Sequence, residues 1–117
     1  MDHADQDPDV SHLATLSSAL GEDLATVVSI LSADLERGLE GVDRALAAGD
    51  LAAAARAAHA ARNGALMLDH RPLLELVAML ENAARSGALP DVLAARGELS
   101  ERWPALREAL ARVAAGR

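Results

Sequence analysis

Apolar residues recur along the chain at intervals of three and four, in stretches punctuated by Gly, Asp and Pro. That spacing is the signature of helices with one apolar face. Leu24, Val28, Leu31, Leu35, Leu39, Val42 and Leu46 form one continuous stripe and predict a long helix from about Asp23 to Ala48. Gly49 is a natural stop, and the Asp50 carboxylate is placed to cap a second helix over Leu51 to Leu68. At about 100° per residue, Ala54, Ala57, Ala61, Gly64, Ala65 and Leu68 share one face of that second helix. Nearly all are small, so a neighbouring helix can approach closely. The opposite face carries Arg56, His59, Arg62 and Asn63, with Leu66 one turn further on. Asp69 to Pro72 reads as a turn, and Pro72 suits the first position of the next helix. Leu73, Leu76, Val77, Leu80 and Ala84 give that helix its stripe, ending near Gly87. A last helix starts near Pro90, with Val92, Leu99, Leu106 and Val113 seven apart and Trp103 and Leu110 between them. Pro104 inside that pattern is expected to kink or interrupt it.

The N-terminal stretch differs. Residues 1–10 lack apolar periodicity and read as a disordered tail, and Val10 to Leu20 predicts a short helix stopped by Gly21. The expected fold is therefore all-α. Residues 11–117 form an antiparallel four-helix bundle with a short additional N-terminal helix capping one end.

Composition narrows the chemistry. With 117 residues the chain fits one domain. Its net charge of −7 argues against nonspecific nucleic-acid or anionic-membrane binding. There is no Cys, Phe or Tyr, only one Ile, and about a quarter of the residues are Ala. The missing Cys removes disulfides, thiolate nucleophiles and the usual structural zinc sites. The missing aromatic and β-branched residues disfavour a β fold, and Ala is the strongest helix former. The opening residues lack the basic and apolar regions of a signal peptide, and no apolar run approaches the ~18 residues of a membrane span. A cytoplasmic monomer is the expectation.

Four histidines are available: His3, His12, His59 and His70. His59 and His70 are eleven residues apart, about 16 Å along a helix, so they do not share an ion. No Glu-x-x-His or His-x-x-x-His pair exists, and no metal site is expected. All basic residues are Arg, so there is no P-loop lysine and no Schiff base. No G-x-S-x-G elbow is present either. One constellation remains. Arg56 and Arg62 flank His59 at i−3 and i+3, making a basic cluster around an outward imidazole in an acidic chain. Neutral imidazole is a good nucleophile near neutral pH, and guanidinium pairs well with phosphoryl oxygens. The alternative on helix geometry alone is a polar residue on a solvated face.

These residues sit in a wider pattern. Ala45-Leu46-Ala47-Ala48-Gly49-Asp50 precedes the second helix, Ala58-His59-Ala60-Ala61-Arg62-Asn63 lies within it, and Leu80-Glu81 with Arg85 follows on the third. From about Leu13 to Ala114 the chain resembles a histidine-containing phosphotransfer (HPt) domain. The resemblance implies that His59 is the phosphoacceptor. It also implies that Arg62 stands beside the phosphoryl group where the family usually has Lys. Glu81 falls where the family places a group that hydrogen-bonds the ring nitrogen not being phosphorylated. The other reading of Glu81 is a solvated helix residue. Arg85 either reaches the same surface or remains in water, and water is the expectation.

Three departures stand out: Asn63 for the family's Gly, Leu68-Asp69 for its Leu-Gly, and Leu66 for a small residue. Asp tolerates a left-handed cap less well than Gly. Asn63 either obstructs a partner or holds a phosphoryl oxygen. Ala55, Arg56, Ala58, Asn63, Leu66 and Arg85 are the expected docking surface. The expected function is a phosphorelay intermediate without ATP-binding or kinase activity of its own. Its expected partners are response-regulator receiver domains and a hybrid histidine kinase. It needs no cofactor, and Mg²⁺ belongs to the receiver. The alternative is an HPt-like module that binds a receiver or kinase without carrying phosphate.

Overall fold

The computed structural model describes residues 23–115. The expected tail over residues 1–10 and the short helix over residues 10–20 lie outside the described residues. Within them the chain forms four helices: α1 (Asp23–Ala47), α2 (Leu51–Leu68), α3 (Arg71–Arg85) and α4 (Leu89–Ala114). Each helix packs on the next, and α4 returns to α1, closing a four-helix bundle. The connections are two or three residues long, which forces neighbours to run antiparallel.

Local chemistry sets each boundary. Gly49 takes a positive φ of 70° after α1, a conformation that Gly adopts without steric cost. Asp50 caps α2, its Oδ1 accepting the Ala53 N–H at 2.9 Å. At the other end Asp69 adopts the left-handed conformation at φ 55° and ψ 40°, and its N–H donates to the Leu66 carbonyl. The chain thus keeps a left-handed cap where the family's Gly is replaced. The next helix starts one residue earlier than Pro72 suggests, at Arg71. Its cap is His70, whose buried Nδ1 accepts the Leu73 N–H at 3.3 Å.

The core follows the stripes. Leu24, Val28, Leu35, Leu39 and Val42 of α1 are buried with Leu73, Val77 and Leu80 of α3 and Val92, Leu99, Leu106 and Leu110 of α4. From α2 the core receives mainly Ala54, Ala58, Ala61, Ala65 and Leu68. Small residues on α2 let α1 come close. A Cβ placed on Gly38 would lie 2.7 Å from the Ala61 Cβ and 2.9 Å from its N and Cα.

The α1–α4 seam carries polar clamps. Arg96 grips both carboxylate oxygens of Asp43, at 2.8 and 3.0 Å. The Trp103 indole N–H donates to Glu36 Oε2 at 2.9 Å, and Arg107 adds a second contact to that oxygen at 3.3 Å. Pro104 lies inside α4 without interrupting it, so of the two expected outcomes the break does not occur. Its ring is exposed, and the Ser100 carbonyl that loses an N–H partner is on an exposed turn where water can take its place.

The glycines make this packing testable. Gly38→Ala forces the α1–α2 backbones apart, at a cost of about 1–3 kcal/mol against a helix-propensity gain of at most ~1 kcal/mol. Gly97 on α4 has open space around it, so Gly97→Ala gains about 0.5–1 kcal/mol. Urea unfolding midpoints should therefore move down for the first variant and up for the second. A midpoint for Gly38→Ala at or above the parent would contradict the close approach.

Candidate functional site

The two-residue turn between α2 and α3 lays these helices side by side, and their outer faces meet at Glu81. The stripe Leu73, Val77, Leu80 and Ala84 turns α3 inward, and Glu81 sits at the edge of that stripe, facing α2. Its side chain is only 2% exposed. The solvated alternative for Glu81 is therefore overturned. Three side chains answer the charge. His59 Nδ1 lies 3.0 Å from Oε2, Arg62 Nη1 donates to Oε1 at 3.4 Å, and Arg85 Nη2 pairs with Oε2.

The protonation logic follows from this cluster. Burial pushes the Glu81 carboxyl up. The His59 hydrogen bond, the Arg85 charge, the His59 charge and the Arg62 hydrogen bond together push it down, and they prevail. An ionised carboxylate only accepts, so His59 Nδ1 carries the proton and donates it to Oε2. In the neutral ring that tautomer leaves the lone pair on Nε2. The imidazole is 52% exposed, and among the described residues its hydrogen bond is the one made by Nδ1. The site therefore presents a half-exposed ring, fixed in tautomer and orientation, with its nucleophilic nitrogen outward. A carboxylate that accepts from the far ring nitrogen of a metal-bound histidine fixes that ring in the same way.

The remaining sequence-predicted residues divide. Arg56, Asn63 and Leu66 are exposed on α2, as the helical wheel requires. Arg56 makes no ion pair among the described residues. Asn63 lines a groove between α1 and α2 with Leu31, Asp34, Arg37, Ala60 and Met67, while the His59 Nδ1 contact lies on the α3 side. Ala55 and Ala58 are corrected. Ala58 has no exposed surface and Ala55 is buried beside α3, so neither can present itself to a partner. Ala58 sits one helical position toward the core from His59, and Ala55 is covered by the end of α3. Arg85 is corrected too: it reaches the same surface and pairs with Glu81 while its side chain stays largely exposed. The signal was in the sequence, because Glu81 and Arg85 are four residues apart on one helix. His70, considered only as a metal ligand, is a helix cap. No three His, Asp or Glu side chains converge among the described residues.

The lowered Glu81 value sets a pH dependence. A carboxyl whose folded value lies below its ordinary 4.5 adds stability that is fully present above pH 4.5. It is lost as pH falls through the folded value. The stability difference between the parent and Glu81→Gln, followed by urea unfolding, should therefore narrow on acidification below about pH 4.5. A difference independent of pH would contradict the ion cluster.

Comparison with known proteins agrees with this geometry. No curated protein and no solved structure matches the chain significantly. The sequence model of the Hpt domain matches residues 26–116, a span that includes all four helices except the first three residues of α1. Hpt domains are helical bundles that act in histidine phosphotransfer within two-component phosphorelays, interact with receiver domains and kinases, and have no kinase activity of their own. An outward imidazole held by a buried carboxylate on the bundle's α2–α3 face, together with that match over most of the chain, makes this protein a member of the Hpt domain family.

Proposed function

We propose that this chain is a phosphorelay intermediate that carries a phosphoryl group on His59 Nε2. The supporting observation is the 3.0 Å bond between His59 Nδ1 and the buried Glu81 carboxylate, which leaves Nε2 outward with its lone pair. In the reaction the Nε2 lone pair attacks phosphorus of a receiver's aspartyl phosphate. The phosphorus–oxygen bond to that aspartate breaks, and the aspartate leaves as carboxylate. The ring keeps its Nδ1 proton and becomes positively charged, and Glu81 is already in place to answer that charge. Return transfer to a second receiver reverses the same steps. The receiver supplies the Mg²⁺, and the relay operates in the cytoplasm.

Arg62 has a different task from Glu81. Its contact with Oε1 is the longest in the cluster, and its side chain is half-exposed one turn from His59. It is free to turn toward phosphoryl oxygens when they arrive. Arg56 adds positive charge at the other side of the ring. The docking surface is carried by Arg56, Asn63 and Leu66. Leu66 is 58% exposed and supplies an apolar element two turns from His59.

Incubating the chain with a receiver labelled on its aspartyl phosphate tests this reading. Label should move to the chain, survive base, be lost in acid, and be absent from His59→Gln. Binding without label would support the phosphate-independent module instead. Full labelling of His59→Gln would sink the assignment of the acceptor.

A further inference from the structure

Four carboxylates, Asp2, Asp5, Asp7 and Asp9, stand within residues 1–9, with no Arg among them. The bundle offers a surface of opposite charge. α2 is the helix without an Asp or Glu, and its outer face presents Arg56, His59 and Arg62. Arg56 has no ion pair among the described residues. The acidic groups near that face are already answered, Glu81 within its cluster and Asp34 by Arg37.

Reach permits the two to meet. Gly38 packs on Ala61, so α1 runs beside α2 with Asp23 at the Leu68 end. Gly38 lies fifteen residues after Asp23, about 22 Å along the helix. Asp9 stands fourteen residues before Asp23 and reaches up to about 46 Å from it. With the expected helix over residues 10–20 in between, Asp5 and Asp7 still reach more than about 30 Å. The route is apolar. Val27, Ile30 and Met67 are exposed toward the Leu68 end, and the intervening segment carries Leu13, Leu16 and Leu20.

We infer that the acidic segment over residues 2–9 docks on the Arg56–Arg62 face of its own chain and screens His59 from the receiver. Tethering supplies the segment at an effective concentration of the order of millimolar, enough for loose charge pairs to hold it part of the time. While it is docked, carboxylates occupy the guanidiniums that phosphoryl oxygens would use. A phosphoryl group on His59 brings negative charge to the same face and expels the segment. The docking stands on charge and reach; its effect on transfer rests on the phosphorelay reading.

The chain has no Cys, so Ala4→Cys gives the whole protein a single attachment point for a nitroxide. At low salt the nitroxide should broaden the amides of Arg56–Asn63 at least about twofold more than those of Gly97–Glu101 on α4. The Arg96–Asp43 and Trp103–Glu36 contacts set Gly97–Glu101 at a similar height on the bundle, so reach alone does not separate the two. The contrast should vanish at about 0.5 M salt, and in a chain carrying both Arg56→Gln and Arg62→Gln. Equal broadening at low salt, or a contrast that survives both treatments, would overturn the docking. Broadening of an isotope-labelled chain by a separate spin-labelled one would overturn it too, giving the face to the tail of a second copy. Asp2→Asn, Asp5→Asn, Asp7→Asn and Asp9→Asn together should speed label transfer from a phosphorylated receiver about threefold at low salt. Glu75→Gln, Asp91→Asn, Glu98→Gln and Glu101→Gln together remove the same charge from exposed positions on α3 and α4, and should not. If both sets speed transfer equally, or neither does, the screening role is overturned. A parent that takes no phosphate on His59 sinks the phosphorelay reading, and the nitroxide contrast still decides the docking.

Discussion

The Glu81 carboxylate is the constraint around which the site is arranged. Taking a carboxylate almost wholly out of water is costly unless its oxygens are met by charged or hydrogen-bonding partners. Here one oxygen is shared by an imidazole N–H and a guanidinium, and the other takes a second guanidinium. The partners come from both helices, so satisfying the charge also fixes how α2 and α3 sit against each other. The same bond sets the His59 tautomer. Removing any one partner would leave a buried charge underanswered or a ring free to rotate, which couples the chemistry of the site to the packing beneath it.

That packing depends on residue size. The small residues of α2 let α1 approach until Gly38 faces the Ala61 backbone, so α2 is held firmly on its inner side while its outer side stays open. Opposite, the seam between α4 and α1 is closed by Arg96 on Asp43 and by Trp103 and Arg107 on Glu36. A site carried on the middle of a packed helix is more rigid than one on a loop. Half-exposed His59 and nearly unexposed Glu81 therefore keep a fixed relation, while Arg62 and Arg85 retain freedom at their exposed ends.

The fold was largely legible because period-3.6 stripes report burial directly. Every apolar residue that marked the stripes of α1, α3 and α4 is buried or partly buried, and Asp50 caps α2 as its position implied. The site was legible at His59, Arg62 and Glu81 through spacing and family resemblance. The misses have physical causes. Ala58 is one residue from His59, and one residue is 100° of rotation, which carries it into the core, whereas Ala55, only about 40° around the helix from His59, is covered by the end of α3. Whether Glu81 was solvated depended on a tertiary contact that no local pattern encodes. Arg85 followed from it, since its largely exposed side chain pairs with a carboxylate that the other contacts already hold in place. Pro104 does not break α4, because it falls on a solvated turn where water can meet the carbonyl it leaves unpaired.

The most direct measurement of the central claim is which ring nitrogen of His59 carries phosphate. After labelling by a phosphorylated receiver, phosphorus and nitrogen couplings in NMR distinguish the two positions. The Glu81 bond to Nδ1 requires the phosphoryl group on Nε2, with the Nδ1 proton retained and hydrogen-bonded. Phosphate on Nδ1, or on a residue other than His59, would contradict the account.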